Sequence, residues 1–491
     1  MQALNQCVAS LGLGGDISLR FCTLSGARGS TRGFSNAKQI IMMQALQPAK
    51  TFFALANALR LGELPLFDYL EQLEERFAQR EGLIHAFLPE PERFARLRQE
   101  GQQLLDRYRD PESRPPLFGI PIGVKDVFQV SGFTTRAGSQ LPAELLQGVE
   151  AQVVTILREA GALILGKTVT TEFAYFAPGP TRNPYRLNHT PGGSSSGSAA
   201  AVSAGLTALS LGTQTIGSIT RPAAYCGIVG YKPTYDRISR AGVIPLAPSV
   251  DHVGVFSPDV AGADLAASLL CPDWQLVVTH AKPVLGIPDG PFMDRVDPEG
   301  RHHFQQCCQQ LRRAGFVLKT VSAMADFEDI VARHQLIVAA EAAQVHAGWF
   351  DQYGHLYQSS TRALIQKGQE VAAEALLEAL TGRQKLRAEL TALMDRYDLD
   401  LWLCPAAVGP APPGLESTGD PVMSLPWTHS GLPTVCLPSG FDTDGLPFAL
   451  QVIGRWYEDE SLLDWAAEME LIIRPEMEHD QDEEPQTATP N

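Results

Sequence analysis

At 491 residues with a hydrophobic share of 44%, the chain is long enough for one large domain or two ordinary ones, and its apolar content is that of a soluble globular protein. A formal net charge of -16 and a pI near 5.2 argue against a nucleic-acid surface or an anionic membrane as partner. The eight cysteines lack CxxC spacing and the eleven histidines lack HExxH, so neither a disulfide framework nor a metal site is indicated.

In chain order, residues 1–42 are rich in Gly, Ser and Arg with Asp16 as their one acid, and Met42 and Met43 directly precede the first helical pattern. This stretch reads as a disordered extension or a start-site artefact ahead of a single domain over 43–478. From Thr51, FFALANALRLGELPLFDYLEQLEERFAQREGLIHAFL places apolar residues at helical spacing and predicts two helices broken near Leu64-Pro65. A third, polar helix is expected from Glu92 to Tyr108. PLFGIPIGVKDVFQV, from Pro116, is a strand-like run around Lys125-Asp126. QVVTILREAGALILGKTVTTEFA predicts a helix, a turn at Gly161 and a strand ending at Gly166-Lys167.

Residues 236–260 read as loop. VLGIP at 284–288 reads as a strand and is followed by a helix from Gly300 to Ala314, where His302 and His303 are expected on the surface. A mostly helical block spans about 324–397. LDLWLCPA, GLPTVCLPSG and GLPFALQVIG are strand-like, SLLDWAAEMELII is a closing helix, and 479–491 is an acidic disordered tail. Such alternation predicts an α/β fold with helices on both faces of a central sheet. The cysteines are expected as buried small apolar residues in a reducing, cytoplasmic setting.

The stretch Thr190 to Thr234, TPGGSSSGSAAAVSAGLTALSLGTQTIGSITRPAAYCGIVGYKPT, stands apart. No Asp, Glu, Lys or Arg occurs between Arg186 and Arg221, so the fold is expected to keep this segment from water. Ser, Thr, Gly and Gln interrupt it too often for a membrane span. AAAVSAGLTALSLG reads as a buried helix, which a flexible Gly/Ser linker would not lead into. Glycines let backbone N–H groups crowd around a substrate, and hydroxyls held there serve as nucleophiles or proton carriers.

GGSSSGSAAA followed by GTQTIGSITRPAAYCGIVGYKPT resembles the signature of the amidase signature family, serine hydrolases that cleave carboxamides. The likeness extends through PTRNPYRLNHTPGG and returns at GLPTVCLPSGFDTDGLPFALQVIG, covering roughly Thr51 to Ile473. It implies the amidase-signature fold, a central mixed β-sheet flanked by helices on both faces, and a Ser-Ser-Lys catalytic group that needs no cofactor. By resemblance Lys125, in GIPIGVKDVF, is the base. Ser194, joined by a cis peptide bond to its neighbour, relays the proton, and Ser218 is the nucleophile. The backbone N–H groups of Thr215, Ile216, Gly217 and Ser218 form the oxyanion hole, while Ser195, Ser196 and Ser198 shape the loop.

A lysine is a base at neutral pH only when burial depresses its pKa, and the apolar run around Lys125 suits that. Taken alone, Lys125 would more readily be read as the ion-pair partner of Asp126.

The chain departs from the commonest family pattern, G-T-D-T-G-G-S-I-R, at three places: Gln214 for Asp, Ile216 for Gly and Thr220 for Arg. Loss of Asp and Arg together removes an ion pair without leaving a buried charge unpaired, and Arg221 stands one place later. Ile216, being β-branched, resists positive φ and is expected to narrow the acyl pocket or to impair catalysis.

The implied activity is hydrolysis of a small-molecule carboxamide to carboxylate plus ammonia or amine through an acyl-enzyme. The alternatives are the glutamine-hydrolysing subunit of a tRNA-dependent amidotransferase, or a non-catalytic amidase-like binding protein. Substrate choice is expected in the 324–397 block and the 405–430 loop, with Trp402, Trp427, Phe350 and Tyr357 as pocket or core residues. Whether the chain pairs as a homodimer is left open.

Overall fold

The computed structural model describes residues 51–474; the 1–42 extension and the 479–491 tail lie outside the described residues. Ten strands are found there: β1 (Pro121–Lys125), β2 (Leu163–Thr168), β3 (Leu209–Gln214), β4 (Val229–Lys232), β5 (His252–Ser257), β6 (Val284–Asp289), β7 (Val317–Ser322), β8 (Leu401–Pro405), β9 (Thr434–Phe441) and β10 (Pro447–Ile453). They form one sheet of order β2-β1-β3-β5-β4-β9-β10-β8-β6-β7. β1 runs parallel to β2 and β3, and β6 parallel to β7 and β8, while the strands between pair antiparallel. The sheet is therefore mixed. Every residue of β1 to β5 is buried, so helices cover both faces there, whereas β7 is an exposed edge.

The helices that open the described chain fall where the periodicity puts them: α1 (Phe52–Leu61), α2 (Leu66–Ile84) and α3 (Arg93–Arg107). Gly62 at φ 78 ends α1 and Pro65 precedes α2. Next come α4 (Gln152–Glu159), α5 (Ser196–Ser203), α6 (Thr220–Tyr225), α7 (Val260–Leu270) and α8 (Pro298–Arg313). The block expected to be helical consists of α9 (Phe327–Tyr353), α10 (Ser359–Gln369) and α11 (Ala373–Arg396), followed by α12 (Leu425–Ser430) and α13 (Asp459–Ile473). Among the described residues no helix is long and apolar enough to cross a membrane.

Two readings of the sequence change. AAAVSAGLTALSLG is not one helix: α5 stops at Ser203, Gly205 takes φ 65, and the chain continues as the central strand β3. Ala, Ser and Gly carry no period that separates a short buried helix from a buried strand. Likewise HVGVFS, read as loop, is β5, which pairs with both β3 and β4. The cysteines Cys226, Cys271, Cys307, Cys308, Cys404 and Cys436 are free and buried. His302 is exposed, but His303 is half-buried, with Nε2 2.9 Å from Ser439 Oγ and its ring stacked on Phe448.

A buried charge cluster ties the closing helix to the middle of the sheet. Asp459, fully buried at the start of α13, accepts from Tyr231 Oη (2.7 Å), Thr234 N (2.8 Å) and Thr234 Oγ1 (2.6 Å), and pairs with Arg237 at 2.9 Å. Arg237 also bridges Glu460. Removing the cation leaves Asp459 buried without compensation, so Arg237→Met is expected to cost about 3–5 kcal/mol in urea unfolding. Adding Asp459→Asn is expected to restore part of that loss.

Candidate active site

Lys125 ends β1 beneath a covered sheet and is fully buried. Its Nζ lies 2.8 Å from Ser194 Oγ and 2.8 Å from Thr213 Oγ1, the latter on neighbouring β3. Burial holds its pKa well below the usual 10.5, and the nearby Asp251 carboxylate partly opposes that shift. Asp126 does not pair with Lys125. It faces Lys167 on β2, with Oδ1 2.8 Å from Lys167 Nζ, and accepts from Arg136 N at 3.1 Å. The amine of Lys125 thus has two hydroxyl neighbours and no carboxylate in contact.

Ser194 follows a cis Gly193-Ser194 peptide. Each side of it is pinned: Gly193 O accepts from Arg221 Nη2 at 2.6 Å, and Ser194 O accepts from Thr171 N at 3.2 Å. Ser195 Oγ donates to Thr213 O (3.1 Å), and Ser198 Oγ donates to Leu211 O (2.9 Å). Those two serines hold the loop against β3.

Ser218 lies between β3 and α6, nearly buried. With Ser194 it lines a narrow cleft bounded by Phe176, Ile216, Arg221, Leu246 and Pro421. The cleft's free volume of about 10 Å³ is room for about one water. Among the described residues no direct hydrogen bond joins the two serine hydroxyls; contacts of this kind often close only around a substrate.

The cleft sits between two larger spaces. Phe176 and Pro421 also border an outer pocket of about 690 Å³, lined by Gln358, Ser359 and Thr418. Ala174, Thr215 and Leu246 also border a second open pocket of about 590 Å³.

The three departures from the family pattern have a structural account. Gln214 Oε1 accepts from Ile219 N (2.7 Å) and Thr220 N (3.0 Å), its Nε2 donates to Thr428 Oγ1 (2.9 Å), and Thr220 Oγ1 meets Ser424 Oγ at 2.6 Å. A neutral amide-hydroxyl network therefore fills the place of an ion pair. Arg221 does not join it, but turns to Gly193 O, to Gly419 O (2.8 Å) and to Thr418 Oγ1 (3.0 Å). Burial brings its pKa down to about 10, which leaves it cationic at neutral pH.

Ile216 is not among the positive-φ residues, so its β-branched side chain is compatible with the loop, where it borders the cleft. Gly217 is the tighter position: a Cβ there would stand 3.0 Å from Ser424 Oγ and Cβ and 3.1 Å from Pro421 Cβ, so those side chains would have to give way. The amides of Ile216, Gly217 and Ser218 donate to no protein acceptor among the described residues.

Sequence reasoning missed Thr213, Asp251, and Arg221 as the anchor of Gly193. Asp251, in SVDHVG, carries no motif of its own; its Oδ1 accepts from Thr215 Oγ1 at 2.6 Å and its Oδ2 from Leu246 N and Ala247 N. Trp402 and Trp427 are fully buried with ring centroids 6.4 Å apart, and Tyr357 is buried too, so these three are core. Among the described residues no group of three or more His, Cys, Asp or Glu is placed to hold a metal ion.

A family model described as Amidase matches residues 92–463. A glutamyl-tRNA(Gln) amidotransferase subunit of Synechococcus sp. (strain WH7803) is 33% identical over 451 residues, 80% of this chain and 92% of that protein. The corresponding subunit of Lysinibacillus sphaericus (strain C3-41) is 30% identical over 463 residues, 83% and 93% of the two chains. A solved structure described as the crystal structure of amidase superposes with a TM-score of 0.78 at 30% identity, covering 86% of this chain and 100% of that one. Another, described as part of a vestigial protein complex that reveals the origins of an s-triazine catabolic enzyme, gives 0.76 at 28% identity, covering 86% and 98%.

Because Lys125 must lose a proton to fold, the wild-type chain gives up stability as pH falls from 10.5 towards its depressed folded pKa. Lys125→Met has no such proton to lose. Its stability relative to wild type is expected to grow by about 1.4 kcal/mol for each pH unit of descent within that window. Denaturant unfolding at several pH values measures this, and a flat difference would contradict a neutral Lys125.

Proposed function

The chain belongs to the amidase signature family, and we propose that it hydrolyses a carboxamide through Ser218, Ser194 and Lys125. Ser218 Oγ attacks the amide carbon while its proton passes by way of Ser194 to Lys125 Nζ. The backbone N–H groups of the 215–218 loop receive the oxyanion. Collapse expels ammonia or an amine, which takes the proton back along the same path. Water then enters, loses a proton to the same base and cleaves the ester on Ser218, giving a carboxylate. The observation that carries this reading is the buried Lys125 amine, 2.8 Å from Ser194 Oγ while Asp126 is engaged by Lys167.

Arg221 is the charged side chain in the cleft beside both serines, which favours amides that carry a carboxylate or another acceptor near the scissile bond. The outer pocket draws on α10 and the 405–430 loop, and that supports placing substrate choice there.

A second reading has glutamine as the amide and a partner protein as the recipient of its ammonia. It is favoured by the likeness to the amidotransferase subunit of Synechococcus over 92% of that protein.

Ammonia release from a panel of primary amides, glutamine and anionic amides included, tests both. Ser218→Ala and Lys125→Ala are each expected to cut kcat by about 10⁴–10⁶-fold. Release from glutamine only when the other amidotransferase components and charged tRNA are present would establish the second reading. Turnover that survives Ser218→Ala would overturn the mechanism. In kcat/KM against pH the acidic limb marks deprotonation of Lys125. Asp251→Asn removes a charge that raises that pKa, so the limb is expected to move to lower pH.

A further inference from the structure

We propose that His334 and Thr428, far from the signature stretch in the chain, are positioning residues that aim the oxyanion donors at the substrate. The inference rests on Ser218 being the nucleophile.

In a trans peptide the C=O and N–H point in opposite directions, so whatever holds the carbonyl sets the direction of the amide. The Thr215-Ile216 and Ile216-Gly217 peptides are not among the cis bonds. Thr215 O lies 3.0 Å from His334 Nε2, and Ile216 O accepts from Thr428 Oγ1 at 2.6 Å. These two contacts fix the N–H groups of Ile216 and Gly217, two of the donors expected at the oxyanion. His334 comes from α9 and Thr428 from α12, both outside the motif.

The tautomers follow from the partners. A carbonyl only accepts, so His334 Nε2 carries the hydrogen and His334 Nδ1 is bare. His334 Nδ1 lies 3.3 Å from His429 Nδ1, so His429 Nδ1 carries the hydrogen that lies between the rings. His429 Nε2 is then a bare acceptor, and it has no partner among the described residues. Arg383 Nε in turn donates to His429 O at 3.1 Å. Both rings are fully buried, and burial pushes their pKa values down to about 3 and about 2, so both stay neutral through the working pH range.

Thr428 Oγ1 has one hydrogen. It lies closer to Ile216 O than to Ser424 O (3.1 Å), and it accepts from Gln214 Nε2. The residue that replaces the ion pair thereby orients the hydroxyl that orients the oxyanion loop. A leucine at 334 would leave Thr215 O and the hydrogen of His429 Nδ1 buried without these partners. A buried polar relay is an expensive way to build core, and its output is the direction of a catalytic amide.

The test compares donor-deleting and donor-keeping pairs in the full chain: His334→Leu against His334→Gln, and Thr428→Val against Thr428→Ser. The readouts are kcat and KM on an amide the wild type turns over, and the rate at which a fluorophosphonate labels Ser218. Loss of oriented donors is expected to lower kcat and the labelling rate by roughly 10²-fold in the Leu and Val variants, with KM within about threefold. The Gln and Ser variants are expected to recover most of that loss. Rates within about twofold of wild type in Thr428→Val, whose side chain is the same shape, would overturn the proposal even where His334→Leu fails to fold. So would a rise in KM with kcat unchanged. A wild-type chain that takes no label at Ser218 would instead overturn the nucleophile assignment on which the proposal stands.

Discussion

A lysine amine taken wholly out of water must pair with a carboxylate or give up its charge, and at Lys125 the first route is closed. The neighbouring carboxylate, Asp126, is turned to Lys167 on the next strand. Asp251, whose charge is felt at Lys125, spends its oxygens on Thr215 and on two backbone amides. Among the described residues, what remains around the amine is the hydroxyls of Thr213 and Ser194 and, at 3.5 Å, Thr213 O. The parallel pairing of β1 with β2 and β3 brings this about, since it places Lys167 and Thr213 beside the end of β1 without a long loop to position either.

The same economy of charge governs the loop that carries Ser218. From 187 to 220 the sequence has no ionisable carboxylate, ammonium or guanidinium, and Gln214, Thr220, Ser424 and Thr428 satisfy one another with neutral dipoles. The first cation after that stretch, Arg221, reaches the carbonyl before Ser194 and two residues of the 405–430 loop. One guanidinium thus fastens the Gly193-Ser194 peptide to a wall of the outer pocket. A change in the 416–421 loop therefore reaches the Gly193-Ser194 peptide through Arg221.

Much of this was legible beforehand because it is local. Lys125, Ser194 and Ser218 sit in short segments that resemble a family signature, and the helices of 52–84 follow from apolar spacing. What stayed hidden is carried by contacts between distant segments. His334 meets Thr215 across 119 positions, and Thr428 meets Ile216 across 212. A single histidine in ARHQLIVAA looks like any other polar residue in a helix, and no period in its own segment marks it. The local run by itself favoured pairing of Lys125 with Asp126, because the cation that takes Asp126 instead, Lys167, arrives on another strand. The helix read into AAAVSAGLTALSLG failed for a different reason: residues this small bury equally well in either backbone form, and only the positive φ at Gly205 ends α5.

The neutral bridge at Gln214 has a bearing on how such a site changes over generations. One oxygen of this amide serves two backbone N–H groups and one hydroxyl, and its nitrogen serves Thr428. An acid placed at 214 alone would keep the acceptor but lose the donor to Thr428 and bring an uncompensated charge into a dry interior. A base placed at 220 alone would do the reverse. Each step is costly by itself, and the cost falls when the two are made together, so positions 214 and 220 are energetically coupled.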